Sequence, residues 1–225
     1  KETQPVILQP GKLSSDIAQN EDELAKAGDE PLMMARLYNQ TVGVGADRVQ
    51  SAHELLRQEE VDAFILDDGF QHRHVKRDVD LVLLGSDCSG SVLPAGPFRE
   101  PRRNLKRGDY WLVTGAEEHW RRYLPPDRSN AVFAGTLQPL DLITYDAHRW
   151  KRYPLSVLHH SKILTVAGIA NPQNFYQSIH EWEGQIVHTL EFPDHHAYSA
   201  KDWQEISRMA RLVDVIVTTE KDILK

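Results

Sequence analysis

Two short runs hold most of the side chains able to do chemistry. In Phe64-Ile65-Leu66-Asp67-Asp68-Gly69-Phe70-Gln71-His72, an apolar stretch ends in two adjacent carboxylates and a glycine. If the apolar part is a strand of an open α/β sheet, the carboxylates stand at its carboxyl end, where such sheets bind ligands. Carboxylate oxygens suit a hard cation such as Mg2+. A turn closed by Asp-Asp-Gly explains the carboxylates about equally well. Gln71 and His72 favour chemistry, since a turn needs neither. The second run is Phe192-Pro193-Asp194-His195-His196. A histidine beside a carboxylate suits acid–base work or metal ligation. His195 is the functional candidate, His196 stays open, and the histidines outside these two runs, His74, His159 and His160 among them, read as surface or packing residues.

Three further places carry weaker signals. In Ala27-Gly28-Asp29-Glu30-Pro31 a turn opens a helix, and on sequence alone Asp29 reads as its cap. The run Leu93-Pro94-Ala95-Gly96-Pro97-Phe98-Arg99-Glu100-Pro101 is stiff enough to present Arg99 and Glu100 rigidly, and Arg suits bidentate phosphate recognition; a plain rigid connector is the alternative. Arg48 begins a helix, where it faces an anion or pairs with Asp47. Arg99, Arg102, Arg103, Lys106 and Arg107 form a basic cluster. The acidic Glu21-Asp22-Glu23 stretch reads as a solvated face. The Asp67-Asp68 pattern is similar to a Walker B strand, which holds Mg2+ in P-loop enzymes. A phosphate-cradling loop is missing from the chain: Gly11-Lys12-Leu13-Ser14 has Val6 where the first glycine belongs and Leu13 in place of Ser/Thr, and Gly43-x-Gly45 is followed by Arg48 instead of a third glycine.

Elements of regular structure must position these groups. Apolar runs predict strands at Pro5–Leu8, Thr41–Val44, Ala63–Leu66, Val79–Leu84, Tyr110–Val113, Ala131–Leu137, Ile163–Ala167, Ile186–Phe192 and Val215–Thr218. Several lack polar alternation, as strands covered on both faces should. Helices are expected at Asp29–Tyr38, Ala46–Gln58, Glu117–Tyr123, Pro172–Trp182 and Ala200–Leu212, the last capped by Ser199. Alternation of this kind indicates an α/β fold with a mainly parallel sheet. The Gly-, Pro- and Arg-rich loop from Gly85 to Gly108 interrupts it.

Composition bounds the reading. The 225 residues are 40% hydrophobic and 26% charged, which supports a real core in one large or two small domains and excludes a disordered or fibrous chain. A formal charge of -7 argues against a general nucleic-acid binder. The single cysteine, Cys88, excludes a disulfide framework and a Cys-rich zinc site. There is no apolar run of membrane-span length and no secretory signal. The chain starts Lys1-Glu2-Thr3 and stops on Lys225 after a strand-like run, so it is expected to be a piece of something longer.

In chain order, Gly28-Asp29-Glu30-Pro31, Asp47-Arg48, Asp67-Asp68-Gly69-Phe70-Gln71-His72, Leu93 to Pro101, Ala167-Gly168-Ile169-Ala170-Asn171-Pro172, Asp194-His195-His196 and Thr219-Glu220-Lys221-Asp222 resemble the tetraacyldisaccharide 4'-kinases, the lipid A 4'-kinases. The similarity spans nearly the whole chain. It implies transfer of the ATP γ-phosphate to the 4'-hydroxyl of an acylated glucosamine disaccharide 1-phosphate, giving lipid IVA in lipid A biosynthesis, with Mg2+. The fold implied is two α/β/α sandwich domains, the first P-loop-NTPase-like, divided as residues 1–80 and 81–225. The resemblance makes Asp29 the base toward the sugar hydroxyl and His195 its dyad partner, in place of the cap reading. It assigns Mg2+ to Asp67 and Asp68, and the substrate and phosphate region to Arg48, Gln71, His72, Arg99 and Glu100. The family's Walker A loop, N-terminal membrane-associating segment and short C-terminal return have no match here. The isolated chain is therefore expected to be an inactive fragment.

The resemblance also implies work at the cytoplasmic face of the bacterial inner membrane. Arg102, Arg103, Lys106 and Arg107 are expected to face that anionic surface, gaining about 1 kcal/mol each, or the substrate's 1-phosphate; ordinary surface charge is the alternative. Two rival functions stand beside the kinase. A metal-dependent phosphoesterase would use the Asp-His-His triplet with Asp67 and Asp68. A non-catalytic module would bind lipid head groups through the basic cluster.

Overall fold

The computed structural model describes residues 4–13, 21–86, 89–146 and 149–224. Ser14 and the single cysteine, Cys88, lie outside them. The elements in chain order are β1 (Val6–Leu8), α1 (Glu21–Ala27), α2 (Asp29–Leu37), β2 (Val42–Val44), α3 (Arg48–Gln58), β3 (Leu81–Leu84), β4 (Tyr110–Val113), α4 (Glu117–Arg121), β5 (Val132–Ala134), β6 (Leu142–Asp146), β7 (Arg149–Tyr153), β8 (Lys162–Ala167), α5 (Gln173–Glu181), β9 (Gln185–Glu191), α6 (Ala200–Ala210) and β10 (Val215–Thr218). Short 3-10 turns fall between them. Contacts group the chain into two compact units, Lys1–Phe64 with Pro139–Lys225, and Ile65–Gln138. This grouping differs from a division at residue 80: residues 65–80 go with β3 to β5.

In the first unit, β1 and β2 pair antiparallel, Val6 opposite Val44. Leu8, Ala27, Leu32 and Ala35 form the core beneath them, with Val6, Val42 and Val44 packed against it. Leu32 and Ala35, three apart, share one face of α2. The second core of this unit surrounds a parallel sheet of order β10-β8-β9. Residues Ile163 to Ala167 of β8 are all buried. Ile163 packs with Ile179 of α5, while Leu164 and Val166 pack with Ile206 of α6. A helix thus covers each face, which is why the strand has no polar alternation. The hairpin β6-β7 pairs Leu142 with Tyr153, and Leu142 closes on the Ile163 side of the core.

Local chemistry sets the ends of the helices. Ser199 and Asp202 form a reciprocal capping box at α6. Asp47 caps α3, its Oδ1 accepting from the backbone N–H groups of Val49 at 2.9 Å and Gln50 at 3.0 Å. At α5, Pro172 is the N-cap rather than the first helical residue.

In the second unit, β3-β4-β5 run parallel. Trp111, fully buried, sits among Leu84, Val113, Trp120 and Leu124. Both indoles find acceptors: Trp111 Nε1 donates to the Leu105 carbonyl at 3.1 Å and Trp120 Nε1 to the Gly85 carbonyl at 2.7 Å. The first bond ties the Gly85–Gly108 loop to β4 and the second ties it to α4.

Three strand expectations change. Ala63–Leu66 forms no strand, and Ile65 is 97% exposed. An apolar run becomes a strand only if a neighbour takes its backbone hydrogen bonds, and no described strand pairs with this one. The run also straddles the boundary between the units. Ala131–Leu137 shrinks to β5, and Val79–Leu84 starts at Leu81.

Candidate active site

Two residues far apart in sequence meet in the first unit. Asp29 is the first residue of α2, and Gly28 before it adopts φ 88°, a left-handed conformation that glycine takes without steric cost. The Asp29 carboxylate is 8% exposed and lies at the positive end of the helix dipole, which favours the ionised form. Its Oδ1 accepts from the Glu30 backbone N–H at 3.0 Å. Its Oδ2 faces His195 Nδ1 at 2.9 Å. Asp29 therefore is not the N-cap; its outer oxygen is committed to an imidazole.

His195 comes from the loop after β9. Its φ of 58° is left-handed, a conformation uncommon for a residue with a Cβ. Asp194 Oδ1 accepts from the His195 backbone N–H at 3.1 Å. The other ring nitrogen of His195, Nε2, lies 3.7 Å from Asp194 Oδ2. The His195 ring is largely open to solvent while Asp29 is enclosed. His196 points elsewhere. Its Nε2 lies 3.0 Å from Asp202 Oδ2, and its ring stacks on Phe192. Bonds from Ser199, then the one to His196, pull the Asp202 carboxyl down to about 2. The role of His196 is thus to brace the start of α6. The Asp-His-His triplet turns to two different carboxylates and forms no three-ligand group among the described residues, which removes the support for the phosphoesterase.

The Thr219–Asp222 run, to which sequence reasoning gave no role, lies close by. Asp222, 5% exposed, has Oδ2 accepting from the Gly168 N–H at 3.0 Å and the Thr219 hydroxyl at 2.7 Å. A Cβ on Gly168 would stand 2.8 Å from Asp222 Oδ1 and 3.5 Å from the Pro193 carbonyl, so glycine is needed for this approach. Burial, and then the charge of Asp222, push the Tyr198 hydroxyl well above its ordinary range. Lys221 Nζ pairs with Glu30, the residue after Asp29. That hydrogen bond raises the Lys221 pKa, and the nearby Asp29 and Asp194 add to the effect. The one signal for Asp222 was its place in the turn that follows the carboxyl end of β10.

Arg48, also in this unit, begins α3. Its guanidinium donates to the Gly45 carbonyl, while Asp47 is occupied in capping.

The other candidates belong to the second unit. Asp68, at φ 49°, precedes a 3-10 turn over Gly69–Gln71. Neither it nor Asp67 caps a backbone group. Asp68 Oδ2 takes a hydrogen bond from Arg99 at 2.6 Å, and the same guanidinium reaches Gln71 Oε1 at 3.5 Å. Asp67 is exposed and makes no hydrogen bond or ion pair among the described residues. One free carboxylate beside one held carboxylate suits a hydrated Mg2+, which keeps several waters. His72 contributes its carbonyl to Arg77 at 2.7 Å. Its ring meets His74 edge-on. Glu100 is taken up by Arg107 and by Asn104, whose Nδ2 donates at 2.7 Å.

The basic cluster divides. Arg107 lies over the Phe70 ring at 4.3 Å and Arg102 over Phe98 at 4.5 Å. Both are bound into the unit's own structure. Arg103, Lys106 and Arg122 form no ion pair among the described residues; with Arg102, Phe98 and Tyr123 they line a cavity of about 520 Å3. No described helix is long and apolar enough to cross a membrane.

Comparison with known proteins adds to this geometry. The family described as tetraacyldisaccharide-1-P 4'-kinase matches residues 10–225. Among curated relatives, the tetraacyldisaccharide 4'-kinase of Syntrophus aciditrophicus is 37% identical over 220 residues, 89% of this chain. That of Halothermothrix orenii is 32% identical over 224 residues, 90% of this chain. In both cases the chain spans 58% of the relative's length. A crystal structure of LpxK from Aquifex aeolicus in complex with ATP superposes with a TM-score of 0.70 at 24% identity, covering 100% of this chain and 66% of that one. The likeness shows the same α/β fold.

Proposed function

The chain belongs to the tetraacyldisaccharide-1-P 4'-kinase family, and we propose that its residues serve the family's phosphoryl transfer from ATP to the 4'-hydroxyl of tetraacyldisaccharide 1-phosphate. The observation that carries this reading is the pair Asp29–His195, a buried carboxylate at a helix N-terminus held by an imidazole from a distant loop. In the reaction the sugar oxygen attacks the γ-phosphorus, the bond to the β–γ bridging oxygen breaks, and ADP leaves. The hydroxyl proton goes to the Asp29 carboxylate. His195 fixes which oxygen faces the sugar and stabilises the charge on the carboxylate before transfer. Catalysis of this kind rests on positioning and charge neutralisation, with the base adding its part.

Mg2+ supplies neutralisation of the phosphate charge when bound. Asp67 offers the free oxygens for it, with Asp68 held alongside by Arg99. Arg99 itself suits a phosphate oxygen, because its guanidinium is always charged and exposed. Glu100 keeps the Arg99 loop in shape through Arg107. Gln71, His72 and Arg48 complete the substrate and phosphate region. An acylated acceptor suits a reaction at a membrane surface, and ATP as donor favours the cytoplasmic face of the inner membrane, where Arg103, Lys106 and Arg122 suit an anionic surface.

The test is transfer of labelled γ-phosphate from ATP to the acylated disaccharide 1-phosphate by the natural gene product that carries this sequence. Labelled bis-phosphorylated lipid is the expected product. A folded gene product that binds the lipid and transfers nothing favours a head-group binding module instead.

A further inference from the structure

A second group of ligating side chains stands at the other edge of the β10-β8-β9 sheet. His159 and His160 come just before β8, and Glu183 just before β9. Gly168, His195 and Asp222 follow the carboxyl ends of β8, β9 and β10, so the two groups occupy opposite ends of the strands. One ligand atom from each of His159, His160 and Glu183 lies within 4.8 Å of the others. Glu183 Oε2 is 2.9 Å from His159 Nε2 and 3.7 Å from His160 Nε2. A tetrahedral ion with ligands at about 2.0–2.1 Å sets them about 3.4 Å apart, which falls between those two distances.

The backbone brings these ligands together at a conformational cost. His160 has φ 57° and Glu183 φ 55°, both in the left-handed region that residues with a Cβ avoid. The two segments are joined directly: the His160 N–H donates to the Glu183 carbonyl at 3.1 Å, and the Gln185 N–H to the Ser161 carbonyl at 2.9 Å. The Ser161 hydroxyl closes the first segment on the Val157 carbonyl at 2.7 Å. The two imidazole centroids are 3.9 Å apart.

We propose that His159, His160 and Glu183 bind one divalent transition-metal ion of the zinc class. Two imidazoles and one carboxylate suit Zn2+, Co2+ or Ni2+, whereas Mg2+ prefers oxygen ligands throughout. All three side chains are open to solvent, so the ion enters without rearrangement and water fills its remaining positions. The inference does not depend on the proposed kinase reaction.

Tag-free, EDTA-stripped protein titrated with Zn2+ by calorimetry, and with Co2+ by visible absorption, tests it. The expected result is one equivalent bound, with affinity at least tenfold weaker in both His159→Ala and Glu183→Gln. Their unfolding temperatures without metal should stay close to wild type, since the exchanged side chains are exposed. Absence of saturable binding, or equal affinity in wild type and both variants, overturns the proposal.

Discussion

Asp29 and His195 meet at 2.9 Å, Oδ2 against Nδ1, across 166 positions of sequence. The carboxylate is enclosed, while the imidazole is open to solvent. A pair arranged this way acts as a unit, and its two members should not contribute independently.

His195→Ala in the active gene product should lower kcat by about 10- to 100-fold, part of the 10²–10⁴ typical of general acid–base groups. Combined with Asp29→Asn it should lower kcat little further than Asp29→Asn alone. Steady-state kinetics of the two singles and the double check this. Multiplicative losses would mean that the residues act separately.

Asp222 ties the carboxyl end of β8 to the turn after β10. Asp222→Ala leaves the buried Gly168 N–H and the Thr219 hydroxyl without this acceptor, a loss of about 1–3 kcal/mol. Gly168→Ala should destabilise as well, because its Cβ meets the same carboxylate at 2.8 Å. Urea unfolding midpoints measure both. Wild-type midpoints would remove Asp222 from its structural role.

Mg2+ dependence should separate the adjacent carboxylates. Asp67→Asn should raise the Mg2+ concentration for half-maximal turnover by about tenfold or more, since one charged ligand is lost. Asp68→Asn should act mainly through Arg99, raising the KM for a phosphorylated substrate. Turnover against Mg2+ for each variant distinguishes the roles; identical Mg2+ curves would contradict them.

Acid should loosen the start of α6. The Asp202 carboxyl drops from 3.8 to about 2 in the folded chain, chiefly through its bonds with Ser199. A depressed carboxyl contributes stability above its unfolded value and loses it as pH falls through the folded one. The contribution should therefore fade between about pH 4 and pH 2. Asp202→Asn should flatten the pH dependence of stability in that window, as read by thermal unfolding at a series of pH values. An unchanged slope would show that Asp202 plays no such part.

Much of the framework could be read from residue pattern. The apolar-rich run at 163–167, interrupted only by Thr165, marked a strand covered on both faces, and Ser199 marked the start of α6, because both depend on local composition. The hairpin β6-β7 went unread, although Leu142-Ile143-Thr144-Tyr145 is rich in β-branched and aromatic residues. Phe64-Ile65-Leu66 misled for the opposite reason: strand composition is local, whereas pairing needs a neighbour. Asp29 shows the same limit at the site. Locally it is a good cap, and its pairing with His195 rests on a tertiary approach that spacing does not encode. The motif order pointed to it because a resemblance carries tertiary information. Asp222 lay in a recognised motif, yet its task emerged only with the fold, since Gly168 sits at another strand's end.

The most direct measurement is kcat of Asp29→Asn in ATP-dependent phosphorylation of tetraacyldisaccharide 1-phosphate, with ATP binding measured on the same preparation. A loss of about 10²–10⁴ in kcat, with ATP affinity and fold retained, is the expected result for removal of a general base. A folded Asp29→Asn protein that turns over like wild type would contradict the assignment of Asp29–His195 as the reacting pair.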